Sequence, residues 1–118
     1  MTIQHVALEV READAEAEVA FWALLAFAEV DPPDALRERA RWVQRGATQV
    51  HLLYVIAPVI APQGHVAVVA EAFAEVAARL AAAGRIPELR PEHWGAPRAF
   101  VTSPAGHRVE LMAAPPPE

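Results

Sequence analysis

The chain has 118 residues, of which 54% are hydrophobic and 21% charged, with a net charge of −5 and no cysteine. This length suits one domain with one modest core, and no apolar stretch reaches the roughly 18 residues that would cross a bilayer. The ten basic residues are all arginine and are scattered, which argues against a nucleic-acid-binding surface. Without thiolates, any metal would need His and carboxylate ligands.

The first half of the chain reads as a strand, a helix and three further strands. Residues 5–10 (HVALEV) alternate as in a strand, and Asp14 to Leu25 has apolar residues near helical spacing. Strand-like segments follow at about 27–30, 40–44 and 48–56, with Arg45-Gly46-Ala47 as the turn between the last two.

The second half repeats this order. Residues 65–70 (HVAVVA) match residues 5–10 at an offset of 60, and a helical pattern at 71–83 ends at Gly84. Strands are expected at about 86–89, 98–102 and 107–113, with Ser103-Pro104-Ala105-Gly106 as the last turn. The sequence therefore predicts a single α+β domain at 1–114, followed by a Pro-rich tail at 115–118. It would contain two βαβββ modules, module one at about 1–57 and module two at about 64–114.

Strand alternation separates two kinds of side chain in this repeat. In the first and the last strand of each module, one face is aliphatic and suits packing against the helices. The opposite face carries four metal-ligating side chains, namely His5, His51, His65 and Glu110. We expect a curved, cup-shaped mixed sheet with the helices on its outer face, and the four side chains would then converge inside the curve.

Three imidazoles and one carboxylate are a ligand set for a divalent transition metal such as Fe, Mn, Ni, Co or Zn. For any single histidine, a hydrogen-bonded structural role on a polar sheet face is the better interpretation. The occurrence of all four residues at matching positions of the repeat favours a metal site.

The chain resembles the vicinal oxygen chelate superfamily, which includes glyoxalase I, extradiol dioxygenases and bleomycin-binding proteins. The resemblance extends over nearly the whole chain and rests on HVALEV, FWALLAF, GHVAVVA and AFVTSPAGHRVEL. It implies that His5, His51, His65 and Glu110 occupy the ligand positions of glyoxalase I-like members. His51 stands where those members carry Glu or Gln. Dioxygenase-like members use only three of the positions, and His51 would then be a pocket residue.

The resemblance implies a metal-dependent enzyme that acts on a small oxygen-bearing substrate chelated to the metal. Isomerase or lyase chemistry comes first and dioxygenation second, with Glu110 as a ligand and catalytic base. The alternative is a non-catalytic protein of the bleomycin-resistance type that sequesters a drug or metabolite. Four residues are candidates for substrate binding: His93, Trp94, Arg98 and Phe100. For Trp94, a loop-pinning role is the competing interpretation.

Expectations about partners and location follow from the same features. Residues 1–10 show neither the positive flank nor the cleavage-like stretch of a signal peptide, so we expect a cytoplasmic protein. We expect no nucleic-acid or membrane partner. The resemblance implies a homodimer, and modules of this kind pair within one chain or between two.

Overall fold

The computed structural model describes all 118 residues. The chain divides into Met1–Ile60 and Ala61–Glu118, to which the names module one and module two refer from here on. Each module contains one helix and one four-stranded mixed sheet. The predicted α+β class with two βαβββ modules is therefore confirmed.

Module one contains β1 (His5–Val10), α1 (Ala15–Leu24), β2 (Ala28–Val30), β3 (Ala40–Arg45) and β4 (Thr48–Tyr54). Short 3-10 turns lie at Glu12–Asp14 and Asp34–Leu36. The sheet order is β1-β4-β3-β2, with β1 parallel to β4 and the other pairs antiparallel. Because β1 and β4 pair directly, with His5 opposite Gln49 and Ala7 opposite His51, these four side chains share one face of the sheet.

Module two contains β5 (Val66–Val69), α2 (Phe73–Ala82), β6 (Glu88–Arg90), β7 (Arg98–Thr102) and β8 (Arg108–Met112). Its sheet order, β5-β8-β7-β6, has the same pattern of one parallel and two antiparallel pairs. The strand expected at 86–89 begins later, at Glu88. Pro87 precedes it and has no backbone N–H with which to join the sheet.

The aliphatic face of each sheet is buried, as alternation predicts. Val43, Val50 and Leu52 are buried in module one, and Val109 and Leu111 in module two. Removing these side chains from water is the main stabilising contribution of the sheets. The same alternation leaves the polar residues on the opposite face.

Both helices end in the same way, with a residue in the left-handed conformation. In module two this residue is Gly84, at φ +83°, which confirms the predicted helix stop. In module one it is Ala26, at φ +66°. In each case the following N–H bonds back into the last turn, from Phe27 to the Trp22 carbonyl and from Arg85 to the Leu80 carbonyl.

Neither α1 nor α2 has the length and apolar content that a membrane-crossing helix requires.

Candidate functional site

The polar face of module one carries a stack of three aromatic rings. The His5 and His51 rings are 4.0 Å apart between centroids and tilted by 15°. On its other side His51 lies 3.8 Å from Trp42, almost parallel at 2°. The register places Trp42 directly opposite His51 across the β3–β4 pair, and His5 on the neighbouring β1 strand. The structure thus brings together the two predicted ligands of this module.

Two glutamines orient the His51 ring. Gln49 donates from Nε2 to the Gln44 side-chain oxygen at 2.7 Å, so its own side-chain oxygen is an acceptor. His51 Nε2, 2.7 Å from that oxygen, is therefore the donor, and Nδ1 keeps the lone pair. Burial, followed by the charge of His5, lowers the pKa of His51 below its usual 6.5, so the ring is neutral at pH 7.

The corresponding face of module two is ionic. His65 Nε2 lies 3.0 Å from Glu110 Oε1, and Arg98 Nε donates to Glu110 Oε2 at 2.9 Å. The Glu110 and Arg98 side chains are 8% and 13% exposed. Burial is the largest influence on Glu110 and raises its pKa, but the hydrogen bonds from Arg98 and His65 outweigh it. The pKa of Glu110 therefore lies below 4.5, and the carboxylate is charged at neutral pH.

The hydrogen bonds of His65 suit it to hold a cation against Glu110. His65 Nδ1 lies 2.8 Å from the Gln63 carbonyl oxygen, which can only accept, so Nδ1 carries a proton. Nε2 faces Glu110 Oε1: a proton on Nε2 gives the hydrogen bond described above, and a metal ion in place of that proton would bind the Nε2 lone pair. These two atoms repel each other unless a proton or a metal ion lies between them.

The donor atoms of module two fit a divalent metal. Bonds of about 2.1 Å meeting at a right angle would separate two donor atoms by about 3.0 Å, which agrees with the 3.0 Å between His65 Nε2 and Glu110 Oε1. The Nδ1–H bond to a backbone carbonyl is the outer contact that metal-binding histidines usually make. Neither module by itself gathers three His, Asp or Glu side chains in a metal-binding group.

The four predicted substrate-binding residues occupy different surroundings within module two. The Arg98 guanidinium donates hydrogen bonds to the Glu110 carboxylate and to the Pro91 carbonyl. Phe100 lies edge-on to His65, with ring centroids 4.9 Å apart. Trp94 is half-buried and donates from Nε1 to the Ala114 carbonyl at 2.9 Å, as its loop-pinning role requires. His93 is exposed, with its ring 6.4 Å from that of Trp94.

Sequence reasoning missed the role of two residues on these faces. Trp42 was assigned no contact with His51, and Arg98 was not paired with Glu110. The available signal was strand alternation, in which every second residue of a strand lies on the same face. Trp42 and Arg98 each lie on the same face as their partner, on an adjacent strand. The register between the strands was needed to use that signal, and single strands do not reveal their register.

Comparisons with known proteins agree with this architecture. The family model described as "Glyoxalase-like domain" matches residues 5–112. A Bacillus anthracis protein described as a glyoxalase family member has a TM-score of 0.86 at 23% identity, over 95% of this chain and 93% of its own. Lactoylglutathione lyase from Agrobacterium tumefaciens has a TM-score of 0.71 at 19% identity, with 94% and 92% covered.

A third similar structure contains a metal and an organic ligand. It is the E126Q mutant of the fosfomycin resistance protein FosX from Listeria monocytogenes, in complex with Mn(II) and 1S,2S-dihydroxypropylphosphonic acid. Its TM-score is 0.75 at 16% identity, with 97% of this chain and 93% of that chain covered. At these identities the three structures share the fold. No curated protein sequence matches the chain.

Proposed function

The chain belongs to the glyoxalase-like domain family, which confirms the resemblance of its sequence to the vicinal oxygen chelate superfamily, and we propose that it is a metal-dependent enzyme. Its substrate would be a small oxygen-bearing molecule chelated to a divalent transition metal. Isomerase or lyase chemistry is the first expectation and dioxygenation the second. The observation that carries the proposal is the 3.0 Å separation between His65 Nε2 and Glu110 Oε1, with His65 Nδ1 held by the Gln63 carbonyl.

The proposed ligands are His5, His51, His65 and Glu110. His65 and Glu110 form the better-supported half, since their donor atoms already have the spacing of two ligands on one ion. His51 is either the fourth ligand, through Nδ1, or a pocket residue that holds His5 by stacking. The related proteins also support a metal, because FosX binds Mn(II).

The residues of the chain have distinct roles in this proposal. A divalent metal would supply the Lewis acid that polarises the oxygens of the substrate. Arg98 holds Glu110 Oε2, so Oε1 is the carboxylate atom left to bind the metal or, once displaced from it, to accept a proton from the substrate. Because its pKa is lowered, Glu110 is ionised at neutral pH, as both a metal ligand and a base must be. Phe100 would contribute an apolar wall beside His65.

Metal analysis of protein purified without chelators tests the proposal most directly. We expect about one transition-metal ion per chain, or uptake of Mn, Fe, Co, Ni or Zn by the apoprotein. His65→Ala should abolish binding, whereas His93→Ala, which changes an exposed histidine outside the ligand set, should not. A wild-type protein that neither contains nor takes up metal would rule out the enzyme. Equal affinities for the two variants would show that the ligand assignment is wrong.

Product analysis of the metal-loaded protein separates the reaction classes. Thiol adducts of 2-oxoaldehydes report isomerase or lyase activity, and catechols report dioxygenation. Tight, metal-independent binding of an aromatic drug with no product would instead support the sequestering protein. Analytical ultracentrifugation of the same samples tests the expected homodimer.

A further inference from the structure

Module two contains a cavity of about 400 Å³ whose lining is unusually basic for this acidic chain. It lies where the end of α2 meets strands β6, β7 and β8. Phe100 and Thr102 line it together with four charged residues, namely Arg85, Glu88, Arg90 and Arg108. No role has been given to this cavity so far.

The Phe100 ring organises two of these cations. The Arg108 guanidinium carbon lies 4.3 Å from the ring centroid, and that of Arg90 lies 5.5 Å from it. A guanidinium held over an aromatic face keeps the N–H groups at its edge available as donors. Arg108 uses one of them in a long contact of 3.5 Å with the Pro62 carbonyl. Arg90 lies 3.5 Å from Glu88.

The third cation is positioned by the end of the helix. The Gly84 N–H bonds to the Ala81 carbonyl and the Arg85 N–H to the Leu80 carbonyl. These bonds fix the backbone of the turn from which Arg85 extends. Because Gly84 takes a positive φ, Arg85 follows immediately after the turn and lines the cavity.

The charges of the lining do not cancel. Three arginines and one glutamate line the cavity, which leaves its lining with a formal charge of +2. Arg98, the remaining cation near Phe100 at 5.5 Å, is already neutralised by Glu110. A group with two negative charges and several acceptor oxygens would complete the arrangement.

We propose that this cavity binds the dianionic oxyanion of a small molecule, of the phosphate or phosphonate kind. Arg85 and Arg108 are its principal donors, and Arg90 contributes charge. The phosphoryl group is close to doubly charged at neutral pH and offers three acceptor oxygens. The site requires no metal and belongs to module two alone, so it goes beyond the proposed enzyme, whose substrate it would help to select.

The first test is titration of metal-free protein with inorganic phosphate, monitored by heteronuclear NMR of the arginine side chains. Comparing methyl phosphate with methylphosphonate tells whether the ligand is a phosphate ester or a phosphonate. Acetate, which carries a single negative charge, is the control. We expect all three phosphoryl compounds to bind at least roughly tenfold more tightly than acetate, since they carry more negative charge and more acceptor oxygens for the arginines. Dianion binding no tighter than that of acetate would overturn the proposal.

Four variants locate the bound anion. Arg85→Gln and Arg108→Gln should each weaken phosphate binding by roughly tenfold. Glu88→Gln removes the carboxylate of the lining and should tighten phosphate binding severalfold. Arg37→Gln, which breaks an exposed pair with Asp34 in module one, should change nothing. Circular dichroism checks that each variant is folded, and Arg85→Gln replaces Arg108→Gln as the decisive variant if the latter unfolds.

The outcomes distinguish this proposal from the enzyme proposal. Equal phosphate affinity in wild type, Arg85→Gln and Arg37→Gln would place the anion elsewhere and overturn the inference. Metal uptake without phosphate binding would leave the enzyme standing and remove the anion site. Phosphate binding that follows the variants, in a protein that takes up no metal, would establish the anion site and remove the enzyme.

Discussion

Modules one and two have the same strand order, but the polar faces of their sheets differ in chemical character. The register pairs Trp42 with His51 in module one and Phe100 with Glu110 in module two, so these two pairs occupy equivalent positions. The same registers make three further positions equivalent, namely His5 and His65, Gln49 and Arg108, and Ala40 and Arg98. Module one fills its positions with three stacked rings, an amide and an alanine, whereas module two has a carboxylate and two arginines among them.

The difference shows that one backbone can support two chemistries. A buried neutral ring such as His51 needs only a stacking partner and one hydrogen-bond acceptor. A buried carboxylate such as Glu110 needs a counter-charge, and Arg98 supplies it from the position that Ala40 occupies in module one. The fold determines which residues meet, and the residue types determine whether a cation is required.

The largest expected effect comes from breaking this pairing in module two. Glu110→Ala should lower the free energy of unfolding by about 3 kcal/mol, because it leaves the mostly buried Arg98 without its counter-charge. Urea denaturation in the presence of a chelator measures this change apart from any metal. His51→Ala is the matched change in module one and should cost less, since it leaves no unpaired ion.

A double substitution sharpens the same comparison. Glu110→His with Arg98→Ala gives module two the residue types that module one has at His51 and Ala40. We expect the double variant to be more stable than Glu110→His alone, because the unpaired guanidinium is removed with its partner. Equal stabilities of the single and double variants would show that Arg98 does not depend on the Glu110 charge.

The two helix ends provide a smaller contrast. Ala26→Gly should stabilise the protein by about 1 kcal/mol, because an L residue in the left-handed region is strained there and glycine is not. Gly84→Ala should destabilise it by a similar amount, since an added Cβ meets no atom within 4 Å and only the backbone strain counts. Thermal unfolding measures both changes. A loss of stability in Ala26→Gly would contradict the strain argument.

The smallest effect is a difference in acid sensitivity between the modules. The pKa of His51 is lowered on folding, so the unfolded chain binds the proton first and stability begins to fall below pH 6.5 or so. The pKa of Glu110 is also lowered, so its contribution is lost only as the pH falls below about 4.5. Urea denaturation of metal-free protein across this pH range should show both steps.

Two substitutions assign the acid steps. His51→Gln should flatten the step nearer neutrality and leave the more acidic one, whereas Glu110→Gln should do the reverse. If either variant flattened both steps, the two modules would not titrate independently.

Local patterns accounted for most of the fold. The first strand, at residues 5–10, and the seventh, at 98–102, have the predicted bounds, and Gly84 ends α2 as expected. These features depend on side-chain alternation and on backbone conformations that glycine adopts easily, both of which are visible within a few residues. The sixth strand begins at Glu88, later than expected, because Pro87 has no backbone N–H with which to join the sheet.

The candidate site was predictable only in part, and the reason is strand register. Strand alternation alone placed His65 and Glu110 on one face, and the structure brings His65 Nε2 to 3.0 Å from Glu110 Oε1. Strand alternation did not indicate that Trp42 would cover His51, or that Arg98 would neutralise Glu110. Those contacts join different strands, and a shift in pairing would replace every one of them while leaving each strand's own pattern unchanged.

The amino-acid sequence by itself determined the duplicated βαβββ order and the residues that share a polar face, because both follow from interactions between near neighbours. Only the tertiary structure decided that one face carries a ring stack, that the other carries an ion-paired carboxylate, and that three arginines line one cavity. Those outcomes depend on which strands lie side by side and on which charges burial leaves uncompensated.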